Sequence, residues 1–269
     1  MYLCPLCQQS LTQQNNSFVC ASNHSFDLAK EGYLHLLPVQ QKNSKVPGDS
    51  PLMMQSRRDF LNAGYYQPLS DAVNQCFAAV LPQDATLLDL GCGEGYYSNR
   101  LFQALADKNL KVYGLDIAKT AIKKAAKSYP ALQFCVASAW HLPFAAQSFD
   151  AALKLCAPCE PEELARVLKT QGLLLTVTPA PEHLQEIKQQ VYSSVRLHSD
   201  QIETIQGFEH QQRQQLKLQL TDLPAQMLLN LLEMTPLAWK FKPEQKQSFA
   251  ASSPQITLNF YLDLYRKNR

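Results

Sequence analysis

Three cysteines and one histidine stand close together at the start of the chain, at spacings typical of metal ligands. They are Cys4, Cys7, Cys20 and His24, in the pattern Cys-x2-Cys-x12-Cys-x3-His. A Cys-x2-Cys pair directs both sulfurs to one point, and a second pair can return on a short hairpin to close a tetrahedron. Because four protein ligands leave no position for a reacting water, the pattern predicts one structural Zn²⁺ site. A segment this short has no core of its own, so the metal would supply most of its folding energy.

A second chemical group lies in a glycine-rich turn between a predicted strand and a predicted helix. The sequence at residues 88–96 is LDLGCGEGY. Gly91, Gly93 and Gly95 would let the backbone approach a ligand closely. Asp116 closes the next predicted strand, where a carboxylate can accept both hydroxyls of a ribose.

The spacing of this turn distinguishes between cofactors. Dinucleotide-binding proteins use G-x-G-x-x-G, whereas this chain has G-x-G-x-G with Asp89 two residues before the first glycine. A carboxylate at that point suits a cationic ligand better than a phosphate. The turn therefore favours S-adenosylmethionine over NAD.

Strand and helix patterns alternate through the rest of the chain and would position this turn. Predicted helices begin at Pro51 and cover 68–80, 96–106, 119–128, 161–168 and 223–233; predicted strands cover 86–90, 111–115, 132–136, 149–155, 172–178, 216–220 and 256–265. Such alternation predicts a doubly wound α/β domain with a mostly parallel sheet, and the two late strands are expected to form an antiparallel edge. The predicted organisation is a zinc module at 1–37, a polar loop at 38–51 and the α/β domain at 52–269.

The composition excludes several other classes of protein. A chain of 269 residues that is 46% hydrophobic can bury a sizeable core, and a formal net charge of +2 does not by itself indicate nucleic-acid binding. No run approaches the roughly 18 apolar residues that span a bilayer, and the N-terminus lacks the regions of a secretory signal. The eight cysteines are therefore expected to be reduced, in a cytoplasmic protein without membrane association.

Several short strings resemble one known family. They are CPLC at 4–7, FDLAKEGY at 26–33, LLPVQ at 36–40, PGDS at 47–50, RRDFLNAGYYQPL at 57–69 and APC at 157–159. The glycine turn is similar to the first motif of class I methyltransferases, and the strings together resemble the RlmA family of bacterial 23S rRNA (guanine-N1)-methyltransferases, most of all the guanine(745) type. The resemblance implies a Rossmann-like methyltransferase domain behind a small zinc module that recognises RNA.

The resemblance also implies particular roles. S-adenosylmethionine would contact Tyr66, Gly93, Glu94 and His183, and two copies of the chain would form a homodimer that binds a 23S rRNA hairpin. The methyl group would go to N1 of a guanine in that hairpin. Many related enzymes place an acid after the third strand to meet the adenine amine, whereas this chain has Ser138 there. Adenine recognition is therefore left to Ser138 or to the backbone.

Two alternative functions remain open at the level of sequence. Pro158 and Cys159 follow the fourth predicted strand, where pyrimidine-C5 methyltransferases carry a Pro-Cys nucleophile. A chain that binds zinc, cofactor and RNA without catalysis is the other alternative. A small-molecule methyltransferase would leave the zinc module without an evident task.

Basic and aromatic residues outside these motifs are the remaining candidates for contact with RNA. Because the net charge is small, basic residues must act locally, and the first to consider are Lys42, Lys45, Arg57 and Arg58. Trp140 and Trp239 are able to stack on an unpaired base, although packing is the more common role of a tryptophan. No residue identifies itself as the acceptor of the guanine N1 proton.

Overall fold

In the computed structural model, which describes residues 1–41, 48 and 50–268, the chain forms two β-sheets. The small N-terminal sheet is antiparallel and contains, in spatial order, β1 (Thr12–Gln14), β2 (Ser17–Val19) and β3 (Ser25–Asp27). A turn at Asn15 and Asn16 joins β1 to β2, and Asn15 has a φ of 55°, which asparagine tolerates better than most residues. Lys42 and Lys45 lie outside the described residues.

The large sheet positions the glycine turn. Its strands are β4 (Tyr33–His35), β5 (Thr86–Leu90), β6 (Lys111–Asp116), β7 (Gln133–Val136), β8 (Phe149–Leu155), β9 (Leu168–Pro179), β10 (Phe208–Leu220) and β11 (Ile256–Lys267). The spatial order is β10-β11-β9-β8-β5-β6-β7-β4. Every pairing from β9 to β4 is parallel, and β11 and β10 close the other edge antiparallel. The predicted fold class is thereby confirmed.

Helices cover both faces of this sheet. They are α1 (Pro51–Asn62), α2 (Gln67–Val80), α3 (Tyr96–Ala104), α4 (Lys119–Ser128), α5 (Pro161–Val167), α6 (Gln185–Gln189), α7 (Ala225–Glu233) and α8 (Pro243–Ala251). The start of α1 is fixed by Ser50, whose Oγ accepts from the Met53 amide at 3.2 Å, and by Pro51, which needs no amide partner there. No helix in the described part of the chain is both long and apolar enough to cross a bilayer.

Three strands of the large sheet differ clearly from the sequence-based expectation: β9 begins at Leu168 rather than at Gly172, and the other two lie at a sheet edge. β10 begins at Phe208 rather than at Leu216. Its first half is polar and lacks the apolar alternation that predicts a strand, because an edge strand pairs on one side only and can face solvent. β4 has no predicted counterpart and pairs parallel with β7. The predicted zinc module of residues 1–37 therefore contributes a strand to the main sheet.

Aromatic packing joins the small sheet to the large one. The Tyr2 ring contacts Phe18 of β2, Tyr113 of β6 and Phe144, with centroid distances of 5.8, 6.0 and 5.3 Å. The Leu3 amide donates to the Pro143 carbonyl at 2.9 Å. Because Tyr2 is buried in this contact, the first residues of the chain are part of the core.

Candidate cofactor turn and zinc centre

The four predicted zinc ligands converge on one point. Their ligand atoms all lie within 4.8 Å of one another, with 3.4 Å between Cys4 Sγ and His24 Nδ1 and 3.6 Å between Cys7 Sγ and Cys20 Sγ. A tetrahedral zinc with Zn–S bonds near 2.3 Å places its ligand atoms about 3.5 to 4 Å apart. The donor set and these distances therefore fit a tetrahedral Zn²⁺ site.

Two tight backbone turns hold these ligands. In the turn that contains Cys4 and Cys7, the Gln8 amide donates to the Cys4 carbonyl at 2.8 Å. In the turn that contains Cys20 and His24, the Asn23 amide donates to the Cys20 carbonyl at 2.9 Å. Gln8 and Asn23 both have a φ near 60°. The matched turns make two knuckles that face each other across the metal position.

The glycine turn leads from the carboxyl end of β5 into α3, as predicted. A Cβ on Gly91 (φ 69°) would lie 2.7 Å from the Ala157 Cβ, so this glycine lets the ends of β5 and β8 approach each other. A Cβ on Gly93 (φ 56°) would meet no atom of the described residues within 4 Å. The backbone at Gly93 is thus open on the side from which a ligand can approach, and Gly95 (φ 81°) forms the cap of α3.

Asp116 lies beside this turn at the end of β6. Its Oδ2 accepts from the Gly93 amide at 2.9 Å, and its Oδ1 accepts from the Ala118 amide at 2.8 Å. These two hydrogen bonds fix the orientation of the side chain. Acceptance of ribose hydroxyls by this carboxylate remains a prediction.

Asp89 lies beneath the turn rather than in the open cleft. Its side chain is 2% exposed and accepts from Ser98 Oγ at 2.5 Å. Burial raises the pKa of this carboxyl to about 7, and the charge of Asp116 adds to the effect. A nearby cation would favour the ionised form, so the position is suited to a sulfonium or ammonium group.

The buried Asp89 carboxyl gives the ligand-free protein a distinctive pH dependence. Its native pKa of about 7 exceeds the value of about 3.9 in an unfolded chain, so the native state binds this proton more tightly. The contribution of this proton to the free energy of unfolding is complete below pH 4 and is lost as the pH rises to 7. The loss amounts to no more than about 4 kcal/mol. We expect Asp89→Asn, which keeps an oxygen for Ser98, to flatten this part of the stability profile in urea titrations. Equal slopes in both proteins would contradict the assignment.

Glu94 joins the glycine turn to two helices. Its carboxylate accepts from Arg58 Nε at 2.7 Å and from Arg58 Nη2 at 2.6 Å, and Lys124 Nζ lies 3.6 Å away. Arg57 donates to the Met234 carbonyl at 3.1 Å. The two arginines proposed as first RNA contacts therefore already bind protein groups, because α1 uses them to hold the turn and α7.

Tyr66 and His183 lie far apart in sequence but pack against the same aromatic ring. Phe260 of β11 has its centroid 5.7 Å from that of Tyr66 and 4.4 Å from that of His183. His183 Nδ1 accepts from the Asn259 amide at 3.2 Å, which leaves Nε2 to carry the proton. Burial, with Lys188 and His198 nearby, lowers the pKa of His183 to about 3, so the ring is neutral.

Two buried polar groups near these residues escaped the sequence reasoning. Among the described residues, Tyr97 Oη and Lys188 Nζ have no hydrogen-bond partner. Burial, reinforced by neighbouring Tyr66, raises the pKa of Tyr97. An orphaned buried donor is a group that a ligand can satisfy. The position of Tyr97 in the first turn of the helix after the glycine loop could have indicated a role in the site. The sequence around Lys188 contains no such indication.

The cysteine considered as a nucleophile lies just after β8. Cys159 is partly buried, and burial raises the pKa of its thiol. A nucleophilic cysteine requires a stabilised thiolate, so this environment disfavours covalent attack on a pyrimidine.

Replacing Cys159 by alanine tests the same point. We expect the variant to lose a few-fold in methyl-transfer rate at most, because the thiol contributes packing to the loop after β8. The matched control is Cys156→Ala, three residues earlier in the same loop. A complete loss of activity in Cys159→Ala alone, with a covalent RNA adduct trapped by the wild type, would restore the C5 mechanism.

Comparison with known proteins agrees with this geometry. The family model described as RlmA, N-terminal, matches residues 2–45, and a model described as a methyltransferase domain matches residues 82–228. The solved structure of the MccD protein aligns with a TM-score of 0.50 and 18% identity over 75% of this chain and 98% of that one, which shows the fold alone. The sheet, the glycine turn and the domain match define a class I methyltransferase.

Two relatives of known sequence show to which family within this class the chain belongs. The Bacillus subtilis protein YxjB, provisionally named a 23S rRNA (guanine-N(1)-)-methyltransferase, is 32% identical over 276 residues, or 98% of this chain and 95% of its own. The 23S rRNA (guanine(748)-N(1))-methyltransferase of Streptomyces fradiae is 32% identical over 187 residues, or 68% of this chain and 65% of that protein. The chain belongs to the family of 23S rRNA (guanine-N1)-methyltransferases. The predictions of S-adenosylmethionine and zinc as cofactors are thereby confirmed.

Proposed function

We propose that the protein transfers the methyl group of S-adenosylmethionine to N1 of a guanine in a hairpin loop of 23S rRNA. The observation that supports this most directly is the likeness to YxjB, which extends over 98% of the chain and so includes both the zinc knuckles and the glycine turn. An RNA hairpin gives the zinc module a task that a small-molecule substrate would not. Which guanine accepts the methyl group is the finer part of the proposal.

The cofactor site is formed by the glycine turn and its neighbours. When bound, S-adenosylmethionine supplies an electrophilic methyl group on a positively charged sulfur. The open backbone at Gly93 admits it, Asp116 accepts from its ribose, and Asp89 beneath the turn provides a complementary negative charge. Transfer to a nitrogen then depends mainly on holding the acceptor in line, for which positioning can supply several kcal/mol.

Tyr66 and His183 form a second wall of the site through Phe260. Neutral His183 offers its Nε2–H as a donor, and the uncharged ring avoids repelling a sulfonium. Tyr97 Oη lies next to Tyr66 and adds another donor. Zinc has a separate role, because its four protein ligands restrict it to holding the knuckles in shape.

Two finer features complete the proposal. We expect two copies of the chain to act as a homodimer, and we expect the protein in the cytoplasm, where rRNA is made and modified. Light scattering of the purified protein with the hairpin RNA measures the assembly; a purely monomeric complex would contradict it.

Mapping of 23S rRNA by mass spectrometry tests the function in cells. In a strain that lacks the gene, one hairpin fragment should lose one methyl group on guanine, and the wild-type gene should restore it. A gene encoding the Gly93→Ala variant should fail to restore it. An unchanged methylation pattern in the deletion strain would contradict the proposal.

A further inference from the structure

A cavity lies at the junction between the zinc module and the large sheet. Its volume is about 200 Å³, and we call it the seam pocket. The residues that line it include Pro5, Gln8, Gln41, Trp140, His141 and Arg166. The first zinc knuckle, the segment after β4, the loop after β7 and α5 each contribute to it, so its shape depends on the docking of the zinc module.

Trp140 presents a rigid aromatic surface at this pocket. Its side chain is 49% exposed, although the loop that carries it is firmly held. The Trp140 amide donates to Ser138 Oγ at 3.1 Å, and the Leu142 amide donates to Glu163 Oε2 at 2.6 Å. A large exposed ring on a fixed backbone can stack with a ligand at little cost in conformational entropy.

The polar groups of the pocket favour a neutral ligand over a phosphate. Arg166 donates to both carboxylate oxygens of Glu163, at 2.6 and 2.8 Å, and to the carbonyls of Leu142 and Phe144. Its charge is therefore balanced, and four of its five N–H donors are used. Gln8 and Gln41 carry amides, which offer both donors and acceptors. A planar group with mixed donors and acceptors on its edge, such as a nucleobase, matches this lining.

Part of the pocket lining comes from segments that follow the carboxyl ends of β7 and β4, at the edge of the sheet where the glycine turn also lies. The Trp140 loop follows the carboxyl end of β7, and Gln41 follows that of β4, which is parallel to β7. Only β6 separates β7 from β5, so the strands that lead into the Trp140 loop and into the glycine turn run about 10 Å apart across the sheet. A nucleotide close to the methylated guanine can span such a distance.

From these observations we propose that the seam pocket binds one unpaired nucleobase of the RNA substrate, stacked on Trp140 and contacted at its edge by Gln8 and Gln41. The inference rests on the proposed rRNA substrate. The bound base would be a neighbour of the target guanine, so the pocket would set the register of the RNA and couple the zinc module to substrate choice.

The two tryptophans of the chain make the proposal directly measurable. Trp239→Phe leaves Trp140 as the single tryptophan, and Trp140→Phe leaves Trp239, which is 77% exposed and does not line the pocket. Titration with the 23S rRNA hairpin should quench the fluorescence of the first variant and not that of the second. S-adenosylmethionine alone should leave Trp140 unchanged; quenching by the cofactor alone would place Trp140 in the cofactor site and overturn the proposal.

Affinity and abasic substitution complete the test. Trp140→Ala should weaken hairpin binding by about 5- to 100-fold, the usual effect of losing one stacked base, and Trp140→Phe should restore most of it. An abasic nucleotide at one position near the target guanine should weaken hairpin binding to the wild type by a similar factor. The same nucleotide should cause no further loss of affinity in Trp140→Ala, provided that this variant keeps the melting temperature of the wild type. If the wild type methylates the hairpin but no position behaves in this way, the seam pocket is refuted and the proposed function stands. If the wild type neither binds nor methylates the hairpin, both fail.

Discussion

Replacing Cys4 by serine should abolish RNA methylation and leave cofactor binding intact. Cys4 is fully buried among the zinc ligands, and structural zinc supplies on the order of 10 kcal/mol to the folding of such small modules. Loss of one thiolate should therefore release the metal and unfold the knuckles. The glycine turn lies in the large sheet, one of whose two core clusters contains no residue of the knuckles, and should persist.

The measurement compares three quantities in the purified variant: zinc content, affinity for S-adenosylhomocysteine and methyl transfer to the hairpin. Cys76→Ser is the matched control, because Cys76 is another free cysteine, lies in α2 and is not a zinc ligand. Substitution is preferable to deletion of the first residues, since Tyr2 packs into the core of the sheet. A Cys4→Ser variant that has lost zinc but still methylates the hairpin normally would refute the role of the module.

Replacing Gly93 by alanine should reduce affinity for S-adenosylmethionine by about 10- to 100-fold, the effect expected from overpacking a formed site by one methyl group. In the part of the chain that the structure describes, no atom lies within 4 Å of the new Cβ, so we expect the methyl group to occupy space that the ligand requires. The positive φ of Gly93 adds a small cost to the folded state.

Gly32→Ala separates these two effects. Gly32 has a φ of 90° and also has nothing within 4 Å of a built Cβ, but it lies in the turn before β4. Calorimetry should show similar small losses of stability in both variants and a loss of cofactor affinity in Gly93→Ala alone. Gly91→Ala should instead fail to fold normally, because its Cβ would collide with Ala157. Equal cofactor affinity in the wild type and Gly93→Ala would show that the ligand binds elsewhere.

Sequence reasoning succeeded where local pattern and tertiary structure require the same residues. The strand that ends at Leu90, the glycines that follow and the carboxylate of Asp116 are dictated by one βαβ unit, and the structure brings them together. The zinc ligands are likewise close in sequence. Spacing along the chain is therefore enough to predict both groups.

The features that escaped prediction depend on contacts between distant segments. From the sequence, Arg58 is expected to be a solvated basic residue. Its pairing with Glu94 depends on the packing of α1 on the glycine turn, which only the structure shows. The exposure of Trp140 depends on how the zinc module docks. Strand β4 is three residues long, too short to show a period, and forms because β7 offers an unpaired edge.

The central claim is tested most directly by incubating the purified protein with S-adenosylmethionine and the 23S rRNA hairpin, and identifying the methylated nucleoside by mass spectrometry and primer extension. We predict 1-methylguanosine as the product, with a stop in primer extension at a single guanine, because a methyl group on N1 blocks Watson–Crick pairing. A methylated pyrimidine that primer extension reads through, or no methylation of an RNA that the protein binds, would contradict the account.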